Sequence, residues 1–243
     1  MNRRSTTLSS LACTICFVIA GCNAPGKPVQ AEAARPDDVL DFPTLYKQNC
    51  AACHGQDGKN GATISLANPV YVATAGVGNI QRITAAGIPG TAMPPFARSS
   101  GGMLTDRQVA VIAKGIVDTW GHSNATTGQL PSYSSSGPGD SAKGQTSYAT
   151  YCARCHGADG AGMNSGSTKI GSIVDPAYLA LVSDQYLRST IIAGRLEQSM
   201  PDWRSDLTGS NARPMTDQEI SDIVAWIASH RIATPGEPYP QHP

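Results

Sequence analysis

The pattern Cys-x-x-Cys-His occurs twice, as Cys50-Ala-Ala-Cys53-His54 and as Cys152-Ala-Arg-Cys155-His156. No other feature constrains this chain as tightly. Cysteines at this spacing place two thiols one helical turn apart, and a histidine directly after them is held beside whatever the thiols carry. That geometry suits covalent attachment of a haem: the thiols add to the two vinyl groups on one edge, and the histidine reaches the iron as its proximal ligand. A structural zinc site needs four Cys or His ligands at suitable spacing, and neither motif has a second Cys/His pair nearby. A thioredoxin-like redox pair needs a βαβ surround, and no alternating strand pattern flanks these cysteines. Plain disulfides would leave both histidines and the repetition without a reason. The expected cofactors are therefore two covalently bound haem c groups, attached at Cys50, Cys53, Cys152 and Cys155, with His54 and His156 on the irons.

The repetition extends well beyond the motifs. Tyr46 and Cys50 recur at an offset of 102, as Tyr148 and Cys152. Pro69, Tyr71, Gly87, Met93 and Pro94 recur at 107, as Pro176, Tyr178, Gly194, Met200 and Pro201. Phe96 has Trp203 as its counterpart, and Thr105-Asp106 recurs at 111 as Thr216-Asp217. The second copy thus carries five additional residues after its haem motif and four more after its methionine, as in a duplicated domain whose length changes are confined to loops. The chain divides into a signal peptide (1–21), an Ala/Pro-rich tether (22–36), a first domain (37–120), a linker of low apolar content (121–139), a second domain (140–232) and an extended tail (233–243). Each domain is small for a self-sufficient core, and aromatic residues are only 6% of the chain. A buried haem is expected to supply the missing apolar volume, so that little stable folding occurs without it.

The elements are expected to be helical, which gives an all-α fold class. Helices over Phe42–Ala51 and Ser141–Tyr151 lead into the two motifs, with Leu45, Tyr46 and Tyr148 facing inward. Thr105-Asp-Arg-Gln108 and Thr216-Asp-Gln-Glu219 are capping boxes that start a last helix in each domain. Val109, Ile112, Ala113, Ile116, Val117 and Trp120 share one face of the first such helix, and Ile220, Ile223, Val224 and Ile227 one face of the second; these stripes read as core. Met103 and Met215, just before the boxes, are expected to pack as hydrophobic staples. His122, His230 and His242 have no counterpart in the other copy and are expected to face solvent.

With haem motif, Met-Pro-x-aromatic motif and capped last helix in this order, each half resembles a class I cytochrome c domain. The likeness is to the small domains of dihaem cytochromes c and of c-type haem subunits of respiratory oxidases, and it covers residues 40–232. It implies two tandem domains, each a few helices wrapped around one haem, with the first and last helices crossing beside it. It also implies Met93 and Met200 as the second axial ligands. Met93 lies 39 residues after His54 and Met200 44 after His156, each in the extended backbone that a following proline favours. Met163, seven residues past His156, is too near to wrap around a haem. One departure stands out: Gly115 occupies the place of Trp226, and Trp120 is displaced toward the helix end, so the first haem is expected to be less shielded there.

The remaining cysteines belong to the N-terminus. Arg3 and Arg4 precede the largely apolar stretch 8–20, which is too short for an ordinary spanning helix and has the form of a signal peptide. Ile19-Ala20-Gly21-Cys22 resembles a bacterial lipobox, which implies cleavage before Cys22 and its lipidation. Cys13 and Cys16 would leave with the signal. Several acyl chains, at about 0.8 kcal/mol per buried CH2, would hold such a protein on a membrane surface. Asn23 in the second mature position resembles an outer-membrane sorting signal, though which membrane is left open. Maturation of cytochromes of this family outside the cytoplasm implies an exported protein on the periplasmic side. Removal of residues 1–21 takes two arginines and leaves 16 basic against 18 acidic residues, which argues against nucleic acid as a partner.

His/Met ligation would close both faces of each iron, and a thioether ligand raises the potential. The expected function is electron transfer in a respiratory chain, between a quinol-oxidising complex and a terminal oxidase or reductase, without an enzymatic activity of its own. The alternatives are a haem subunit of a larger dehydrogenase or oxidase, and a dihaem peroxidase or thiosulfate-oxidising enzyme. The last would need an open or unusually ligated iron.

Overall fold

The computed structural model of the chain describes residues 35–122, 129–165, 168–208 and 213–232. The signal peptide, Cys22, the tether through residue 34, the tail from residue 233 and His242 lie outside the described residues.

Both halves are built from helices in the same order. An aspartate starts each: Asp41 accepts from Thr44 N and opens α1 (Phe42–Asn49), and Asp140 accepts from Ala142 N and Lys143 N and opens α5 (Ser141–Tyr151). Each helix stops at the first motif cysteine, and a one-turn helix follows, α2 (Ala51–His54) or α6 (Ala153–His156). In the first half, Asn68 caps α3 (Pro69–Ala86), which breaks at Gly76 with φ 66° and ψ 163°. The second half has two separate helices there, α7 (Pro176–Leu181) and α8 (Asp184–Ala193). Ser183, the N-cap of α8, is the counterpart of Gly76 at the offset of 107. Four of the five additional residues of the second half are taken up in an antiparallel hairpin of β1 (Met163–Ser165) and β2 (Thr168–Ile170), the one sheet among the described residues of an otherwise all-α fold.

Both capping boxes form, and they open α4 (Asp106–Trp120) and α9 (Asp217–Ala228). Ile112, Ala113 and Ile116 on α4 are buried, as are Ile220, Ile223 and Ile227 on α9. The first and last helices of the second half approach so closely that a Cβ on Gly144 would stand 1.9 Å from the Asp222 carbonyl oxygen. Two expectations are corrected. Met215 is buried, but Met103 is 82% exposed and packs as no staple. His230 does not face solvent freely; its ring lies edge-on to Trp226 at 4.9 Å, and its Nδ1 is 2.9 Å from the Trp226 carbonyl oxygen.

The described residues of the linker are fastened to the second half. Arg188 on α8 is only 3% exposed, and its guanidinium donates to the carbonyls of Ser132 and Tyr133, to Ser221 Oγ and to Asp217. Ser132 N donates to Asp217 Oδ1 at 3.0 Å. The two halves also meet directly. Asn68 caps α3 with its side-chain oxygen, and its Nδ2 donates to the Ala193 carbonyl at 2.9 Å in a buried position. Val70 packs in the core of the second half, and Ala193 in that of the first.

Candidate haem-binding sites

A cavity of about 370 Å³ in the first half is lined by Cys50, Cys53, His54 and Met93 together with apolar side chains such as Ile80, Ile83 and Phe96. Four residues chosen from the sequence as a ligand set, 43 positions apart at the extremes, are thus brought to one cavity. Its far wall comes from beyond the first domain: Tyr133, Tyr178, Tyr186 and Ser189 also line it.

His54 is buried, and its Nδ1 lies 2.9 Å from the Ile64 carbonyl oxygen. A carbonyl can only accept, so the proton sits on Nδ1 and Nε2 keeps its lone pair for a metal. Burial lowers the pKa of both His54 and His156, which favours the neutral imidazole that ligation needs. Burial, with a contribution from the neighbouring cysteine, pushes the Cys50 thiol up to about 11 and the Cys152 thiol up to about 12. Such thiols are poor thiolates, unlike those of a dithiol oxidoreductase. All four motif cysteines are free. Apolar cavity, paired thiols, neutral imidazole and thioether together fit a haem.

Tyrosine and glycine hold each motif in place. The Tyr46 hydroxyl donates to the Gly55 carbonyl at 2.7 Å, and Tyr148 to that of Gly157 at 2.6 Å. Both glycines follow the motif histidine directly, with φ 85° and 80°. The Met-Pro segments are anchored by a second glycine pair. A Cβ on Gly87 would lie 2.5 Å from Pro95 N, and one on Gly194 2.6 Å from the Met200 carbonyl oxygen. Ile88 N donates to the Met93 carbonyl, and Arg195 N to that of Met200, both at 3.0 Å. The repeat drew attention to Gly87 and Gly194, but the close approach of the backbone that requires them was hidden in the sequence.

The displaced tryptophan does not leave the first site open. Trp120 stacks edge-on to Tyr46 at 5.1 Å, as Trp226 packs on Tyr148 at 4.1 Å. Trp120 also lies over Gly58 as Trp226 lies over Gly160, within 3.3 Å of where a Cβ would be. The two indoles therefore cover equivalent places from different turns of the last helix. Phe42 occupies the space beside Gly115, 2.2 Å from where its Cβ would be, and this corrects the expectation of weaker shielding.

Fold and residue order define the class: each half is a c-type cytochrome domain, a small α-helical unit of the kind that binds haem c covalently. Residues 141–231 match the cytochrome c family, and residues 37–114 match the family of subunit III of cbb3-type cytochrome c oxidase. The chain is a tandem of two such domains, and its role is electron transfer. No curated protein matches it. Among solved structures, a reducing HAO-like protein complex of Kuenenia stuttgartiensis matches with 18% identity and a TM-score of 0.46, over 79% of this chain and 96% of that one. A thiosulfate dehydrogenase from Marichromatium purpuratum matches with 20% identity and a TM-score of 0.30, over 80% and 42% of the respective chains. A dihydro-haem d1 dehydrogenase matches with 23% identity and a TM-score of 0.26, over 39% and 18%.

Proposed function

We propose that the chain is a lipid-anchored dihaem cytochrome that relays single electrons through two His/Met-ligated haems on the periplasmic side of a membrane. The observation that carries this reading is the convergence of Cys50, Cys53, His54 and Met93 on one apolar cavity. When bound, haem supplies a one-electron iron couple. The chain's own residues do the rest. Cys50 and Cys53, and Cys152 and Cys155, hold the macrocycle by its edge. His54 and His156 present neutral imidazoles, and Ile64 fixes the ring of the first. Met93 and Met200, on loops folded against Gly87 and Gly194, would supply a thioether to each iron and exclude water and other ligands. Residues that hold the iron on both sides would let it change oxidation state with little rearrangement.

Two haems per chain would appear as two haem additions in the intact mass of the holoprotein and as two equivalents by pyridine haemochrome; one equivalent would remove the dihaem reading. For the anchor, Cys22→Ser should move the protein from the membrane fraction to the soluble periplasmic extract. A second reading, a haem subunit of a larger oxidase, is favoured by the match of residues 37–114 to an oxidase subunit family. Gel filtration of the native detergent extract separates the two readings, since a stable subunit elutes with its complex. Membrane partners on either reading are redox proteins, a quinol-oxidising complex as donor and a terminal oxidase or reductase as acceptor.

A further inference from the structure

The two halves differ in how the motif histidine is held. His54 donates from Nδ1 to the Ile64 carbonyl, whereas His156 Nδ1, also buried, has no partner among the described residues. The cause is local. Ala67 N and Ile173 N each donate to the carbonyl of the corresponding glycine, Gly58 or Gly160, at 2.9 Å, so both loops leave and return at the same place. Residues 59–66 span the gap in the first half, and residues 161–172, four more, span it in the second. The added length forms the β1–β2 hairpin. Counted back from the common return point, Ile170 is the counterpart of Ile64. Its carbonyl lies 2.3 Å from where a Cβ of Gly162 would be, and so faces the hairpin. A second difference points the same way. Trp203 is 7% exposed, and its buried Nε1 has no partner among the described residues; its counterpart Phe96, which lines the first cavity, has no side-chain donor.

We propose that this asymmetry makes the second haem the electron-accepting end of the chain. The inference rests on His54 and His156 being the proximal ligands. A hydrogen bond from Nδ1 to a carbonyl makes the imidazole a stronger donor, and a stronger donor stabilises ferric iron. His54 has that bond, and His156 has none among the described residues. Trp203 stands in the repeat where Phe96 lines the first cavity; its indole N–H, directed at the second haem, would favour the less positive, ferrous iron, and Phe96 provides nothing similar. Both differences raise the second potential relative to the first. One electron then passes from the first iron, which goes from ferrous to ferric, to the second, which goes from ferric to ferrous, and no proton moves.

Spectroelectrochemical titration of the holoprotein tests this, with the second haem identified as the wave that Met200→Ala shifts. The expected result is at least a tenfold equilibrium preference of the electron for the second haem, about 59 mV for a one-electron couple. Trp203→Phe, and separately replacement of residues 161–172 by the sequence of 59–66, should each cut that preference at least threefold and leave the first wave in place. In the unaltered holoprotein, proton NMR should find the His54 Nδ1 proton protected from solvent exchange and the His156 proton less so. A second potential at or below the first, variants that leave it unmoved, or equal protection of the two protons would overturn the inference. Failure of the ligation reading has a separate signature, a missing haem or a high-spin spectrum in the unaltered protein, and would remove the inference with it.

Discussion

At the scale of residues, the motif cysteines and histidines, both methionines and the tyrosines packed behind them stand out in the sequence because each occurs twice in matching context. What the sequence concealed were backbone partners: the Ile64 carbonyl that meets His54, and the Gly55 and Gly157 carbonyls that meet Tyr46 and Tyr148. A carbonyl belongs to every residue alike, so no residue type marks it. Trp120 reaches the place of Trp226 from a different turn of the last helix, which position along the sequence does not reveal. Two predictions belong here. Met93→Ala and Met200→Ala should each lower the potential of one haem and let it bind carbon monoxide, as read by redox titration and visible spectra. Tyr148→Phe removes a hydrogen bond to a part-buried carbonyl and should cost about 1 kcal/mol in denaturant unfolding of the holoprotein.

Among the elements, the entry helices and the capped last helices stand where the hydrophobic stripes and caps placed them. The hairpin was not foreseen, because five additional residues register only as an offset and carry no strand signature of their own. Nor was the break in α3, where a glycine substitutes for a serine cap. The cap of α9 gives a pH prediction. Arg213, followed by the Thr216 bonds, holds the Glu219 carboxyl down at about 2, against 4.5 for a free glutamate. A carboxyl lowered in the folded state contributes stability above the unfolded value, and that contribution is lost as pH falls toward 2. The full shift corresponds to roughly 3 kcal/mol. Arg213 is 54% exposed, so screening leaves about 1 kcal/mol. Glu219→Gln should remove that amount at pH 7 and flatten the loss of stability between pH 4.5 and 2, measured by unfolding across that range.

For the whole molecule, the repeat and the polar stretch between its copies point to two domains and a linker, but nothing in the sequence hints that the linker is bonded down. Its anchor, Arg188, sits in the middle of α8 with nothing in its local sequence to single it out. Its partners, Ser132, Tyr133, Asp217 and Ser221, come from segments remote in the chain. Arg188→Met should remove the charged partner of Asp217, which keeps Ser132 N, and the guanidinium donors to the Ser132 carbonyl, cost about 2 kcal/mol, and expose residues 129–139 to proteolysis. Because the first cavity is walled by side chains of the second half, the same variant should also broaden the redox wave of the first haem. Small cores and few aromatics predict that the chain made without haem shows no cooperative thermal transition.

The central claim is that both irons are closed by histidine and methionine. The visible spectrum of the purified holoprotein, oxidised and reduced, with and without carbon monoxide, tests it most directly. Low-spin spectra with a sulfur-to-iron charge-transfer band and no change on adding carbon monoxide are the predicted result. A high-spin component, or carbon monoxide bound at either haem, would contradict it and place an open iron in a chain read here as an electron carrier.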